Sequence, residues 1–295
     1  MTGGRPGPGS AERDPGDDWV VAADGARYWG RFGAAGLCAI DADRGLLMQH
    51  RAVWSHHGGT WGLPGGARKL GELAIPAALR EAGEEAGVPA GALRARSTHV
   101  ADLSIWTYTT VVADVVQPFD PVISDPESLE LAWVPLAEVV DRPLHPGFAA
   151  SWPALLATTG IRPAIVVDVA NVMGSVLDGW WRDRAGAAQR ILARIADLSS
   201  AGLDARELDL AGDRWFPEWT AVLEGAAKAG VDVDGVETVR ASGAGDDAIV
   251  AAAQRQMADG RAATVVTSDR ELARRAVEAG ASSRSSGWLL RQLGD

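Results

Sequence analysis

Apolar positions along the chain follow two rhythms, and the change between them falls near residue 160. Before it, short runs dominate. Residues 37–40 and 46–50 read as strands around a turn at 41–45, and 51–60 as a loop. Residues 95–103 and 106–116, rich in Val, Thr and aromatics, read as long strands. Residues 130–134 form another strand, 135–140 start a short helix, and 148–158 are apolar at helical spacing. Between the early and late strands lies a glycine-rich loop followed by a helix. Pro76 fits only the first helical turn, and Gly87 stands where a helix ends in a left-handed residue.

Beyond residues 160–163 the rhythm becomes strand–helix alternation. Residues 164–168 are a continuous apolar run ending in a carboxylate, as expected of a buried parallel strand. Strand patterns recur at 221–224, 236–239 and 263–267, and helical ones at 187–198, 247–258 and 270–280. Such alternation predicts a three-layer α/β domain with a mostly parallel sheet. The organisation expected is a disordered Gly/Pro-rich tail over 1–18, a first domain over 19–160, a linker at 161–163 and a second domain over 164–295.

Composition changes this picture little. A length of 295 residues accommodates two domains, and 47% hydrophobic with 23% charged residues is globular. The net charge of −11 argues against tight nonspecific binding to a phosphate backbone. Cys38, the one cysteine, lies in an apolar run and reads as a buried strand residue rather than a nucleophile. With no apolar stretch long enough to span a bilayer, the expectation is a cytoplasmic protein without membrane association; oligomeric state is left open.

The helix after the glycine-rich loop carries the strongest chemistry. Glu81, Glu84 and Glu85 stand at i, i+3 and i+4, which places three carboxylates on one face. Clustered anions repel one another, and a hard divalent cation resolves that conflict. The sequence here resembles the Nudix box: Gly66, five residues, Glu72, seven residues, then Arg80, Glu81, Ala82, Glu84, Glu85, Gly87 and Val88. The resemblance implies an α/β/α sandwich with a mixed sheet and hydrolysis of a nucleoside diphosphate linked to another group. It implies Mg²⁺ or Mn²⁺ held by Glu81, Glu84, Glu85 and the Gly66 carbonyl, with Arg80 pairing Glu72 structurally. For the proton acceptor Glu84, Glu85 and an outside carboxylate, Glu127 or Glu130, stay open; Glu130 is carried forward. Arg51, Trp54, His57 and Trp61 are the candidate substrate contacts. The two tryptophans read equally as core, and His56 with His57 as a polar rim.

A second acidic set lies on the second half. Asp168 ends a strand, Asp246 and Asp247 open a helix, and Asp269 follows a further strand. Strand ends and helix starts share one edge of a parallel sheet, so these groups can converge. Asp168 with Asn171, the Asp246–Asp247 pair, and Asp269 with Arg270, Glu271 and Leu272 resemble the NYN branch of PIN-like nucleases. That resemblance implies a metal site of Asp168, Asp247 and Asp269, with Glu224 a further member and RNA as a partner. Helix capping competes for Asp246 and Asp269. From Arg162 onward 16 Lys/Arg stand against 20 Asp/Glu, so no basic footprint supports nucleic-acid binding overall. Two alternative functions remain: an RNA-processing nuclease whose first domain recognises or trims nucleotide ends, and a nucleotide sensor without turnover.

Overall fold

The computed structural model describes residues 14–176 and 180–294, and the chain divides into two compact units between Thr159 and Gly160. The first unit opens with β1 (Trp19–Val21) and β2 (Arg27–Trp29), an antiparallel pair. Then come β3 (Ala34–Asp41), β4 (Gly45–Arg51), β5 (Trp61–Gly62), β6 (Gly65–Ala67) and α1 (Ala74–Ala86). They are followed by β7 (Leu93–Asp102), β8 (Thr107–Val115), β9 (Ser128–Val134) and α2 (Pro146–Thr158).

The sheet runs β7-β8-β3-β4-β5, with β6 also on β3 and β9 on β4. Strands β3 and β8 are parallel and the other pairs antiparallel, so the sheet is mixed. Strand β3 is buried throughout because the sheet is covered on both faces. Its odd residues Ala35, Leu37 and Ala39 pack with Ala77, Ala78, Ala82 and Ala86 of α1. Its even residues Cys38 and Ile40 join Phe148, Trp152 and Leu155 of α2. Period-two alternation thus feeds two cores. Small side chains bring α1 close to the sheet, and that holds its acidic edge against the β6 backbone. Burial pushes the Cys38 thiol up to about 12, which removes it as a nucleophile.

Two expectations change in this unit. Of the tail, residues 1–13 lie outside the described residues, whereas residues 14–18 form an ordered turn. Asp14 Oδ1 accepts from Gly16 N at 2.8 Å, and the Asp18 carbonyl accepts from Gly30 N at 3.0 Å. The short helix after β9 is 3₁₀, Leu136–Asp141, led in by Pro135.

The second unit contains β10 (Pro163–Asp168), α3 (Val169–Gly174), α4 (Arg184–Ala201), β11 (Leu203–Asp204), β12 (Arg214–Trp215), β13 (Glu218–Leu223) and β14 (Val236–Arg240). It continues with α5 (Gly245–Ala258), β15 (Ala262–Val266), α6 (Arg270–Glu278), β16 (Ser282–Arg284) and α7 (Ser286–Gln292). Pro163, assigned to the linker from sequence, begins β10 and is paired with Ala262. The sheet order is β14-β13-β10-β15-β16, and every pair is parallel. On β10, Ile165 and Val167 face a core with α3, α4 and α7, while Val166 faces one with α5 and α6. Helices therefore cover both faces, and the carboxyl ends of β10, β13 and β15 share one edge.

Candidate active site

The acidic face of α1 meets the loop before it. Gly87 closes the helix in the left-handed region at φ 63°. The Glu85 side chain accepts a hydrogen bond from Gly65 N at 2.9 Å. A Cβ at Gly66 would lie 2.6 Å from the Glu81 carboxyl, so only glycine lets backbone and carboxylate meet there. Arg80 forks onto both Glu72 oxygens at 2.9 Å each, and also donates to Glu81 at 2.7 Å and to the Ala67 carbonyl at 3.0 Å. One guanidinium thus ties the loop, the strand and the helix together. Glu84 shares the face but its side chain stays 59% exposed, touching only the tip of Arg80 at 3.3 Å.

The electrostatics separate these glutamates. The hydrogen bonds from Arg80 hold Glu72 down at about 2. Burial raises Glu81 against the opposing pull of Arg80. Burial also lifts Glu85 to about 8, with Glu81 and Glu127 adding to the rise, and Gly65 N–H and Arg51 opposing it. Two desolvated carboxylates side by side, one already against backbone, form an oxygen-donor set suited to a hard divalent cation. The residues present therefore fit Mg²⁺ or Mn²⁺.

The other predicted contacts fare unevenly. Arg51 ends β4, and its charge is felt by Glu85, Tyr108 and His145 alike. Trp54 is exposed on the loop after it. Trp61 is only 4% exposed, its ring stacked on His50 at 4.8 Å with Arg142 over it, so it is core and closed to a base. Glu130 is exposed on β9 opposite His50, and the outside carboxylate that acts on Glu85 is Glu127. A Cβ at Gly36 would meet the Tyr108 hydroxyl, and Glu85 and Glu81 help burial raise this phenol. No motif or spacing around Tyr108 signals that placement. His145, likewise unsuspected, faces His57 with ring centroids 4.8 Å apart.

In the second unit Asp168, Asn171, Arg184, Glu224, Asp246 and Asp269 share the lining of one cleft of about 340 Å³. Asp168 accepts from Asn171 N at 3.0 Å and from the Thr267 hydroxyl at 2.9 Å. Burial raises its pKa, with Glu224 and Asp246 adding to the rise. Asp269 also caps α6, accepting from Glu271 N at 2.8 Å and Leu272 N at 3.0 Å, so capping and lining coexist. Gly245 leaves room for the Glu224 carboxyl, which a Cβ would strike. Asp247 is the exception: it does not line the cleft and pairs instead with Arg275 at 2.5 Å. Adjacent helix positions point 100° apart, and Asp246 lines the cleft while its Oδ2 still lies 3.8 Å from Arg275.

The NUDIX domain profile matches residues 30–155. A Mycobacterium tuberculosis protein named "Putative 8-oxo-dGTP diphosphatase 3" is 53% identical over 153 residues, covering 48% of this chain and 70% of that protein. The "Nucleoside triphosphate pyrophosphatase/Nudix hydrolase fusion protein" of Bifidobacterium longum is 40% identical over 151 residues, covering 48% of this chain and 31% of that protein. Among solved structures, a Nudix hydrolase from M. smegmatis, RenU, shares 51% identity over 49% of this chain and 95% of its own, with a TM-score of 0.45. Among the described residues no helix is long and apolar enough to cross a membrane.

Proposed function

The chain belongs to the Nudix family of hydrolases acting on phosphoric anhydrides, and on that premise we propose that its first unit cleaves a nucleoside diphosphate linked to a further group. An oxidised purine nucleoside triphosphate is the first substrate to test, because the M. tuberculosis relative is named for 8-oxo-dGTP. The observation that carries the reading is the pair of desolvated carboxylates, Glu81 and Glu85, packed against Gly65 and Gly66. Mg²⁺ or Mn²⁺ would be held by Glu81, Glu84, Glu85 and the Gly66 carbonyl, supplying Lewis-acid charge to the phosphoryl oxygens. Arg80 and Glu72 keep the loop against the helix. Arg51 adds positive charge on the same side for the phosphates. Glu84, solvent-accessible beside the buried pair, accepts the proton as water oxygen attacks phosphorus and the anhydride P–O bond breaks. Turnover of 8-oxo-dGTP and a panel of nucleoside diphosphate derivatives, with products identified by mass spectrometry, tests this. Tight nucleotide binding without any hydrolysis would favour the sensor instead.

For the second unit we propose a PIN-like domain of the NYN branch, with a metal-dependent nuclease site. Four carboxylates from separate segments, Asp168, Glu224, Asp246 and Asp269, line one cleft and favour this reading. Asp246 takes the place expected of Asp247. Single-stranded RNA incubated with Mn²⁺ is the assay. Absence of cleavage, with Mn²⁺ still stabilising the protein through this cleft, would leave a binding module.

A further inference from the structure

Three imidazoles converge outside the acidic face. His56 and His57 lie on the loop after β4, and His145 caps α2. One ligand atom from each lies within 4.8 Å of the others. The convergence is constructed from backbone. The loop is closed by Arg51 N to the Thr60 carbonyl at 2.9 Å and Gly59 N to the Arg51 carbonyl at 3.0 Å. A Cβ at Gly58 would collide with the Ala52 and Val53 carbonyls, so the tight turn requires glycine. His57 itself stands in the left-handed region at φ 56°, a conformation that histidine adopts more readily than most residues with a side chain. His145 is fixed from the other side: its N–H donates to the Trp61 carbonyl at 2.8 Å, and Trp61 N donates to the Pro143 carbonyl at 2.8 Å.

We propose that His56, His57 and His145 form a second metal site, distinct from the carboxylate face and selective for a borderline ion such as Zn²⁺ or Ni²⁺. The argument is the donor set. Three ring nitrogens without a carboxylate suit Zn²⁺ and Ni²⁺, whereas Mg²⁺ takes oxygen. Tetrahedral zinc with Zn–N near 2.0–2.1 Å needs nitrogens about 3.4 Å apart, a closure that side-chain rotation on an exposed loop supplies. Three protein ligands leave a fourth position open to water or an anionic group. Two features limit the affinity. The Arg51 guanidinium, whose Nε donates to the His56 carbonyl at 3.3 Å, sits beside the cluster and opposes a cation. His145 Nδ1 accepts from Gly147 N at 3.2 Å, and coordination through the ring's other nitrogen moves the proton to Nδ1 and breaks that bond.

The test uses the full, untagged chain, stripped with chelator and titrated calorimetrically with Zn²⁺ or Ni²⁺ in excess Mg²⁺, which occupies the carboxylates. One site should bind the ion, and the Gly147 amide should lose protection when it fills. His145→Asn keeps a good helix cap while removing the imidazole. It should weaken that site more than tenfold, at least the cost of losing a supporting partner, with melting in chelator unchanged. His56→Asn should do the same, whereas Glu85→Gln should leave the site intact. Equal binding by wild type and both histidine variants would overturn the proposal, as would no binding by wild type. Phosphate binding that needs no metal and vanishes in His145→Asn would show an anion pocket instead.

Discussion

The two acidic clusters are built in opposite ways. In the first unit the carboxylates come from one turn of one helix, and Arg80 neutralises their neighbour Glu72. In the second they come from four segments whose shared edge exists only once β10, β13 and β15 are parallel and in register. A local cluster depends on helix spacing, while an assembled one depends on the whole sheet. Anions in the first are held apart in burial, Glu84 exposed and Glu85 nearly enclosed. In the second, Asp168 alone is deeply buried, and its oxygens are already engaged by Asn171 and Thr267.

Removing charge from the first cluster should produce the largest effect. Glu85→Gln preserves shape and the Gly65 contact but removes the anion, so kcat should fall by roughly 10²–10⁴-fold while the variant still unfolds in one cooperative transition. Glu84→Gln should fall comparably if Glu84 accepts the proton. Unchanged kcat in both variants would remove the carboxylate face from the chemistry.

Stability against pH separates the clusters next. Glu85 has its folded pKa raised to about 8 from an ordinary 4.5. The folded state therefore holds a proton that the unfolded state releases, and metal-free stability is greatest below 4.5 and declines as pH rises through 8. Mg²⁺ or Mn²⁺ should reverse that decline. Urea melts of wild type and Glu85→Gln across this range provide the check: a decline that persists undiminished in the variant belongs to another group.

The staple between loop and helix comes third. Arg80→Met leaves Glu72 and Glu81 half-buried without their partner, and about 2–4 kcal/mol of stability should be lost. Glu72→Gln should cost less, because Arg80 keeps Glu81 and the Ala67 carbonyl. Equal losses in chemical denaturation would mean that Arg80 acts through Glu72 alone.

What could be read in the sequence follows the same division. The box helix and its glycine end were legible because each is a matter of spacing within about two dozen residues, and the Arg80–Glu72 pair followed from the resemblance those residues carry. Strand–helix alternation announced the parallel sheet for a similar reason. Trp61 reads from sequence equally as a binding surface or as core, and only the enclosure by His50 and Arg142 decides for core. Glu130 and Glu127 differ only in which residue of a β-strand entry turns toward Glu85, a register that no local pattern fixes. His145 and Tyr108 reach their neighbours from segments far along the chain, and nothing in their own surroundings marks them.

The smallest expected effect is the most discriminating for the second cluster. Asp246 and Asp247 are adjacent and chemically identical, yet Asp246 lines the cleft and Asp247 pairs with Arg275 on the surface. If Mn²⁺ binds the cleft carboxylates, it raises the melting temperature of the native protein by mass action. The Glu85→Gln background, with Glu81→Gln added, reduces the competing contribution from the first unit. There, Asp168→Asn and Asp246→Asn should each diminish the Mn²⁺-dependent shift. Asp247→Asn breaks only an exposed ion pair, so its shift and its metal-free melting should both match the parent within error. A shift sensitive to Asp247 and indifferent to Asp246 would restore the sequence-based assignment and require the first turn of α5 to rotate when metal binds.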